Sequence, residues 1–468
     1  MIATRAEVDR PNSDPKARPL LRTTAAVVGS VVVGALYPLS AAMVSPWLLP
    51  AAVVGLLLLI ASLRRPGIGV AVAFLLTSLT PGLGGPFAWV PGVAWTALLF
   101  GVLLLRPASN EDRIHPRLPP FGLAVLAYGA TVLLAFSSSP APDLGFHLLR
   151  NVIAGIVLFL VVSTTLRTAE DVRLALLGTS GAAVIVGGFA SLQYALGASS
   201  DVGFVTSTGV LVTRVTAGFI HPNLLAGFLV VLVPLATAGA VLDRRWRLVH
   251  LAGLFLALGG IYASFSRGAL LGLLVMPFLL VRGRWLAVLA PIAALLLAFA
   301  VPSVLAERFN LGSEGGAEVG VRRDIWSTAG AVWQEQPLDG AGLGGFPGRY
   351  AAVRVSGKQF LPNTQFEPPP HAHNLGLQLL AEQGLVGFAS FGVVAVGAGL
   401  GALRLRRSRQ RFPGVLGAAL LSGLVGLLVH NLFDVTLVEN AGIEFWGVLG
   451  VLSAMVQLHQ PEASADGT

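Results

Sequence analysis

The sequence predicts an all-α protein: a polytopic transmembrane helical bundle of about 12–14 spans, with one large extracytoplasmic loop that contains short helices. Three properties predict it. Of the 468 residues, 54% are hydrophobic and only 12% are charged, and the mean hydropathy is +0.77. An apolar excess of this size is more than a soluble core can bury, and it excludes a disordered chain. The absence of cysteine excludes disulfide scaffolds, iron–sulfur clusters and cysteine nucleophiles.

Apolar stretches that approach the length of a membrane span recur along the whole chain. A transmembrane helix needs about 20 apolar residues, and fourteen stretches come near that length. They are residues 23–44, 46–63, 67–83, 88–105, 119–137, 147–166, 173–196, 222–241, 248–264, 268–281, 286–304, 385–403, 413–432 and 440–458. The first four are the weakest candidates because prolines interrupt them, and 268–281 is short.

The basic residues follow the sidedness that is typical of membrane proteins. With the N-terminus in the cytoplasm, all but nine of the 31 Lys and Arg residues fall on the cytoplasmic side, which is the positive-inside pattern. The net charge of +8 and the pI near 10.7 therefore reflect topology. No nucleic-acid binding is expected, because clustered aromatic residues do not accompany the arginines. Both termini are predicted to be cytoplasmic.

The spans divide the chain into five predicted parts. These are a cytoplasmic tail (1–22), a bundle of about 11 spans (23–304), an extracytoplasmic loop (305–384), C-terminal transmembrane helices (385–458) and a second cytoplasmic tail (459–468). The basic start followed by a long apolar stretch favours an uncleaved signal-anchor. A cleaved signal peptide, with Ser40-Ala41-Ala42 as its cleavage site, is the alternative.

The long loop holds most of the basic residues that break the charge rule. The nine on the outer side are Arg150, Arg214, Arg267, Arg308, Arg322, Arg323, Arg349, Arg354 and Lys358. Residues 321–334 of the loop predict a helix, and its apolar face carries Ile325, Ala329 and either Val332 or Trp333. A glycine-rich turn follows at 339–345. It lacks the strand and the Lys-Ser/Thr of a phosphate-binding loop, so no nucleotide is expected there.

The most informative stretch follows three prolines at 368–370 and runs from His371 to Gly387. Residues from His373 to Gln383 predict a short amphipathic helix, with Gly384 placed to end it. His373 is then in the first turn, where the helix dipole disfavours the imidazolium, and a general base has to be neutral. His371 lies just before the helix and is expected to be more exposed and less fixed.

Other interpretations of the two histidines are open. Their spacing allows a pair of metal ligands, but no third His or carboxylate lies close in sequence, so no metal is expected. Alternatively, the two histidines are solvated side chains at the start of a helix in the membrane interface. That helix start also offers N–H groups to an anion such as a phosphate.

Three more polar residues mark the outer ends of spans. Arg214 precedes the eighth span, Arg267 lies in the turn between the ninth and tenth, and Asp434 follows the thirteenth. A charge at this depth is costly unless it is paired, and a guanidinium binds a diphosphate through two hydrogen bonds. Snorkelling to the headgroups is the alternative for each Arg. Asp434 is placed to orient an Arg or a His, unless it is a solvated helix end.

Together these motifs resemble the O-antigen ligase family, polytopic glycosyltransferases that act on lipid-linked glycans. The family motif begins with His, followed by one residue that is Asn, Ser or Gln. Gly comes after nine further residues, and a residue that is Gly, Thr or Tyr comes after two more. His373-Asn374, Gly384 and Gly387 match it. Arg214 and Arg267 resemble the family's two functional arginines. Arg322 and Trp326 resemble its Arg-x-x-x-Trp helix, and Asp434 resembles its C-terminal acidic residue. The resemblance covers about residues 200–435, and the chain has about two more N-terminal spans than a twelve-span ligase.

The resemblance implies an enzyme of a bacterial inner (cytoplasmic) membrane. It would transfer a glycan from an undecaprenyl-diphosphate carrier to a hydroxyl of a lipid A core or of another glycan or protein, inverting the anomeric centre without metal or cofactor. The catalytic base would be His373, Arg214 and Arg267 would bind the diphosphate, and the supporting residues would be His371, Asn374, Arg322 and Asp434. A polymerase of the same superfamily, a bicarbonate or small-anion transporter and a purely structural membrane protein are the alternatives. Polar residues cluster at the outer face and not at the midplane, which argues against transport.

Overall fold

The computed structural model describes residues 48–83, 90–105, 118–198, 202–205, 210–280, 314–353, 371–437, 439 and 441–459. The helices of these parts are α1 (Leu48–Arg64), α2 (Pro66–Leu83), α3 (Val90–Leu105), α4 (Gly122–Ser137), α5 (Pro142–Thr165), α6 (Ala169–Ala195), α7 (Pro222–Leu242), α8 (Arg247–Ser264), α9 (Arg267–Leu280), α10 (Glu314–Glu335), α11 (Phe346–Ala352), α12 (Leu375–Arg406), α13 (Arg411–His430) and α14 (Ala441–Leu458). Strands β1 (Gly203–Val205) and β2 (Leu211–Thr213) form an antiparallel hairpin.

The predicted fold class, a helical transmembrane bundle, is confirmed. Seven of the described helices have at least 18 residues and are apolar enough to cross a membrane, and five shorter helices are also apolar. These helices coincide with the predicted spans, except that α12 begins ten residues before the predicted span 385–403. The chain is a multi-pass membrane protein. The predicted spans 23–44 and 286–304, and both predicted terminal tails except His459, lie outside the described residues.

The chain divides into two compact units, residues 1–64 and 65–468. The described part of the first unit is α1, an apolar helix that ends in the basic residue Arg64. In the second unit α7 and α14 are the most deeply buried of the long helices. There α6 packs against α2 and α8, α5 against α14, and α13 against α7, α9 and α12.

Glycines allow the helices of the second unit to approach each other closely. A Cβ atom on Gly187 of α6 would collide with the backbone of Leu256 in α8, and one on Gly253 of α8 would collide with the backbone of Ser180. Lipid supplies no hydrophobic force between helices, so close packing of this kind is a main source of stability. The outward faces carry exposed side chains such as Leu134 and Val393, which suits hydrocarbon surroundings.

The long loop has a small hydrophobic core of its own. The predicted loop helix is present as α10, and its buried face carries Ile325, Ala329 and Val332, not Trp333. These side chains form one cluster with Phe346, Tyr350, Ala372 and Ala381. The cluster joins α10 and α11 to the start of α12, and it thereby fixes the loop against the segment that carries the two histidines.

Candidate functional site

The hairpin β1–β2 positions Arg214. The chain leaves β2 at Thr213, and the N–H of Arg214 donates to the carbonyl of Val202 (2.9 Å). Phe204 of β1 contacts the ring of Phe265 (5.6 Å between centroids), which packs the hairpin on the turn between α8 and α9. The Arg214 side chain is buried and donates from Nε to the carbonyl of Ser264 (2.7 Å). Arg214 thus lies against the turn that leads into Arg267.

Asn223 connects Arg214 to Asp434. Nη2 of Arg214 donates to Oδ1 of Asn223 (2.6 Å). The amide nitrogen of Asn223 in turn donates to Oδ2 of Asp434 through a short hydrogen bond. Asp434 is fully buried, and its Oδ1 also accepts from the N–H of Val435 (2.7 Å). The chain of contacts Arg214–Asn223–Asp434 therefore links two segments that are far apart in sequence and fixes the Asp434 carboxylate.

Asp434 faces both histidines of the 371–373 segment. Its Oδ1 lies 3.9 Å from Nε2 of His371 and 3.9 Å from Nδ1 of His373. The two imidazole rings meet edge to face, with 4.3 Å between their centroids. The structure thus brings Arg214, His371, His373 and Asp434 into one connected group. Together with Asn223 we call it the outer polar group, after the side of the membrane on which the sequence predicts it.

The prediction that His373 lies in the first helical turn is wrong by two positions. Asn374 is the N-cap of α12, and its Oδ1 accepts the N–H of Leu377 (3.0 Å). An asparagine satisfies the open N–H groups of a helix start better than a histidine does, so the helix begins one residue after it. His373 precedes the cap with a φ of 48°, a left-handed conformation that is rare for a residue with a side chain.

The prediction that His371 is the more exposed histidine is also wrong. Its side chain is 15% exposed, against 22% for His373. Nδ1 of His371 accepts the N–H of His373 (3.3 Å) while Nε2 faces Asp434, so both ring nitrogens have fixed surroundings. The left-handed turn at His373 folds the two rings onto the same carboxylate, which the sequence spacing alone does not indicate.

Burial keeps His373 neutral, and not the helix dipole that a first-turn position would have supplied. Desolvation and the neighbouring His371 lower the pKa of His373 from 6.5 to about 3, and the opposite effect of Asp434 is smaller. Burial likewise lowers the pKa of His221 to about 4. Burial would raise the pKa of Asp434, but the surrounding imidazoles of His371 and His373 hold it well below its usual range. The group therefore combines the neutral imidazole of His373 with one carboxylate anion.

Asn374 and Arg322 fix the segment that precedes Asp434. Nδ2 of Asn374 donates to the carbonyl of Leu432 (3.0 Å), and Nη1 of Arg322 donates to the carbonyl of Phe433 (2.6 Å). Trp326, one turn after Arg322, contacts the ring of Phe433 (6.4 Å between centroids). Asn374 and Arg322 therefore hold the residues that follow α13, and they position Asp434 relative to the start of α12.

Arg267 is the first residue of α9 and is half buried. The next residue, Gly268, packs on the imidazole of His430 at the end of α13, where a Cβ would lie 3.0 Å from Nδ1. This contact places the start of α9 beside the chain that leads to Asp434. Arg267 thus borders the outer polar group through α9 and α13, while Arg214 belongs to the group itself.

The two glycines of the sequence motif have separate structural roles. Gly384 has φ 61° and ψ −164°, a conformation available almost only to glycine, and it kinks α12. A Cβ at Gly384 would also collide with the backbone of Leu338. Gly387 lies one turn later against the side chain of Gln383, with no room for a Cβ. The kink confirms that Gly384 ends the first helical segment, although α12 continues beyond it.

The glycine-rich turn holds the kink in place. Across the kink, the N–H groups of Leu385 and Val386 donate to the carbonyls of Pro337 and Leu338 (2.8 and 3.2 Å). The N–H groups of residues 341 and 342 in turn donate to the carbonyls of residues 381 and 382 (2.8 and 3.1 Å). These contacts replace the helical hydrogen bonds that Gly384 interrupts. The N–H groups of the glycine-rich turn therefore have a structural role, as donors to α12.

The outer polar group has the composition of a three-ligand metal site. One atom from each of His371, His373 and Asp434 lies within 4.8 Å of the other two. The expectation of no metal relied on the lack of a third ligand near the histidines in sequence. That reasoning is wrong, because the end of α13 brings Asp434 to them from about 60 residues away.

Sequence reasoning missed the part played by Asn223 and Ser264. Both lie in stretches that also hold predicted residues, but neither carries a charge, and nothing in their spacing indicates a link to Asp434. The available signal was the run His221-Pro222-Asn223, since a polar residue followed by proline is typical of a helix start. His221 is indeed the N-cap of α7.

Residues 252–392 match the family model described as O-antigen ligase. The match confirms the resemblance for that part of the chain, which contains Arg267, Arg322, His371, His373 and Asn374. Arg214 and Asp434 lie outside the matched range, and the structure brings them to the matched histidines. A comparison with curated proteins found no match.

Proposed function

With an O-antigen ligase match as the premise, we propose that the protein transfers a glycan from an undecaprenyl-diphosphate carrier to an acceptor hydroxyl at the outer face of a bacterial inner membrane. The family match supports a membrane glycosyltransferase of the ligase or polymerase kind. The observation that carries the finer proposal is the neutral, largely buried imidazole of His373 beside the Asp434 carboxylate. The acceptor is a lipid A core or another surface glycan or protein.

His373 is the proposed general base. A proton on Nδ1 faces Asp434 across 3.9 Å, which leaves the lone pair on Nε2 to accept the proton of the acceptor hydroxyl. As the imidazole becomes positive, the Asp434 anion stabilises it. A bound diphosphate adds negative charge nearby and raises the proton affinity of His373 further. The base is thus strengthened in the complex with the donor.

Arg214 and Arg267 are the proposed diphosphate-binding residues. The reaction forms a bond from the acceptor oxygen to the anomeric carbon and breaks the bond from that carbon to the diphosphate oxygen. The electron pair leaves with the lipid diphosphate, whose growing charge the two guanidinium groups stabilise. A single displacement inverts the anomeric centre. The energy of the diphosphate bond drives the transfer, and His373 itself supplies the base, so neither a metal nor a cofactor takes part.

A polymerase of the same superfamily is the second candidate, because it would use the same groups with another repeat unit as acceptor. The site favours transfer over small-anion transport, since the group lies where α7, α12 and α13 begin or end and not midway along them. The acceptor distinguishes ligase from polymerase.

The test is an in vitro transfer assay with purified protein, lipid-diphosphate glycan and EDTA. Offered a lipid A core acceptor and the glycan donor alone in separate reactions, a ligase extends the core and a polymerase lengthens the donor chain. Gel shift of the product and release of the lipid diphosphate measure the reaction. Absence of any product with either acceptor would contradict the proposed enzyme.

The proposed orientation places the loop 305–384 outside the cytoplasm. We expect a Cys at position 320 in this cysteine-free chain to react with a membrane-impermeant maleimide in intact spheroplasts. Gly320 lies on the exposed side of α10, and no atom lies within 4 Å of a Cβ built there, so Gly320→Cys is sterically mild. Fluorescent maleimide on a gel gives the readout.

The matched control is Gln410→Cys, at an exposed position in the predicted cytoplasmic turn between α12 and α13. It should be labelled only after lysis. The reverse pattern, with Gln410→Cys labelled in intact spheroplasts and Gly320→Cys protected, would place the proposed site on the wrong side of the membrane.

A further inference from the structure

We propose that His371, His373 and Asp434 bind a zinc-class transition-metal ion, and that the bound ion inhibits glycan transfer. The binding site rests on the geometry of the three side chains. The inhibitory effect rests on the proposed function, because it requires His373 to act as the base.

The geometry of the three side chains is close to that of a zinc site. Nε2 of His371 and Nδ1 of His373 both lie 3.9 Å from Oδ1 of Asp434, and all three atoms are within 4.8 Å of one another. Zinc bonds of about 2.0–2.1 Å place neighbouring tetrahedral ligands about 3.3 Å apart. Movements of up to about 1 Å in the side chains would therefore close the group around an ion. His371 would give up the long hydrogen bond that its Nδ1 accepts from His373, because a neutral imidazole that ligates through Nε2 carries its proton on Nδ1.

A second observation points to a ligand at this position. Nδ1 of His373 is buried and has no hydrogen-bond partner among the described residues, and it faces the carboxylate at a distance too long for a hydrogen bond. Buried polar atoms are nearly always partnered. An ion between Nδ1 and the carboxylate would supply the missing partner for His373.

The surroundings of Asp434 resemble the outer shell of a metal site. Asn223 and the N–H of Val435 hold the carboxylate oxygens, and Arg214 holds Asn223. Hydrogen bonds of this kind fix the direction of ligating carboxylates. The positive charge of Arg322 disfavours a cation at this position, because it lowers the pKa of His373 as burial does. The Asp434 anion is held closer to the proposed ion position, by direct contact with both histidines.

The donor set selects the class of ion. Two imidazoles and one carboxylate suit zinc and related transition metals, whereas magnesium and calcium require oxygen ligands. Three protein ligands leave a fourth position for water. Inhibition follows because the ion would take the lone pair of Nδ1, so that the single proton of the neutral imidazole lies on Nε2, which then has no lone pair to accept the proton of the acceptor hydroxyl.

The binding test uses full-length protein purified in detergent through a tag without histidine, stripped with EDTA and exchanged into chelator-free buffer. Cobalt(II) is the probe, because its visible absorption reports tetrahedral coordination. We expect one cobalt per chain, displaced by zinc. His371→Ala should weaken cobalt binding at least tenfold, and His371→Gln serves as a second variant if His371→Ala is not monodisperse. His459→Ala, at the end of α14, is the matched control and should bind as the wild type does.

The same samples are then assayed for transfer with zinc at a saturating concentration. We expect wild-type transfer to fall more than tenfold and to return with EDTA, and the residual activity of His371→Ala to resist zinc. Absence of cobalt binding by the wild type, or equal binding by His371→Ala, would overturn the site. Binding with undiminished or increased transfer would overturn the inhibition. If no sample transfers glycan even in EDTA, the proposed function fails, while the cobalt spectrum still decides the metal site.

Discussion

A His373→Ala variant is expected to transfer glycan about 10²–10⁴-fold more slowly than the wild type, the usual effect of losing general-base catalysis. The variant removes the imidazole that faces Asp434, but it leaves Asn374 as the cap of α12, so the helix start should persist. The measurement is the rate of transfer at saturating donor, with donor binding followed separately. Donor binding should be retained, because the arginines remain.

His371→Ala is the matched variant, since it removes a neighbouring ring that faces the same carboxylate. It should keep a measurable fraction of the activity, because His371 positions the segment and does not take the proton. If His371→Ala were inactive and His373→Ala active, the two roles would be exchanged. If both variants were fully active, the proposed base would be excluded and transport would become the better interpretation.

The pH dependence follows from the lowered pKa of His373. A group whose pKa falls to about 3 stays neutral from about pH 8 down to about pH 5, so its protonation should not limit the reaction in that range. A kcat/KM that falls with an apparent pKa near 6.5, in the wild type but not in the residual activity of His373→Ala, would contradict this environment in the free protein.

The fold could be predicted from the sequence because span length and hydropathy are local properties. The apolar stretches marked twelve of the described helices, all but α12 within about five residues, and the periodicity of 321–334 marked the buried face of α10. The hairpin β1–β2 was missed, since strands of three residues give too short a pattern to recognise. Its effect is large nevertheless, because it holds Arg214 against Ser264.

The members of the candidate site could be listed from the sequence, but not their contacts. Apolar helices look alike in sequence, so nothing local indicates that the end of α13 meets the start of α12. The position of His373 relative to the helix depended on which residue caps α12. Asn374 is the cap, because its side chain satisfies the open N–H groups of the helix start better than a histidine does. Burial makes His373 neutral and leaves His371 as the less exposed ring. It arises only when α7, α12 and α13 are packed together.

Arg214→Ala and Arg267→Ala are each expected to lower kcat/KM for the lipid-diphosphate donor about 10²–10³-fold, similar to the cost of removing a donor that stabilises a developing oxyanion. For Arg214 a second effect adds to this. Its loss leaves Oδ1 of Asn223 and the carbonyl of Ser264 without their charged donor, which loosens the support of Asp434. Lys at either position should restore only part of the rate, because it lacks the planar fork.

The two arginines should differ in how the loss divides between kcat and KM. Arg267→Ala is expected to raise the KM for the lipid-diphosphate donor more than it lowers kcat, whereas Arg214→Ala should lower kcat more strongly, through the displaced Asp434 carboxylate. Arg323→Ala is the matched control, since Arg323 is an exposed basic residue beside Arg322 on the same loop helix, and its variant should remain active. Ordinary activity in both Arg214→Ala and Arg267→Ala would remove the diphosphate-binding role from the mechanism. Equal losses with Arg323→Ala would mean that only the overall positive charge of the outer face matters.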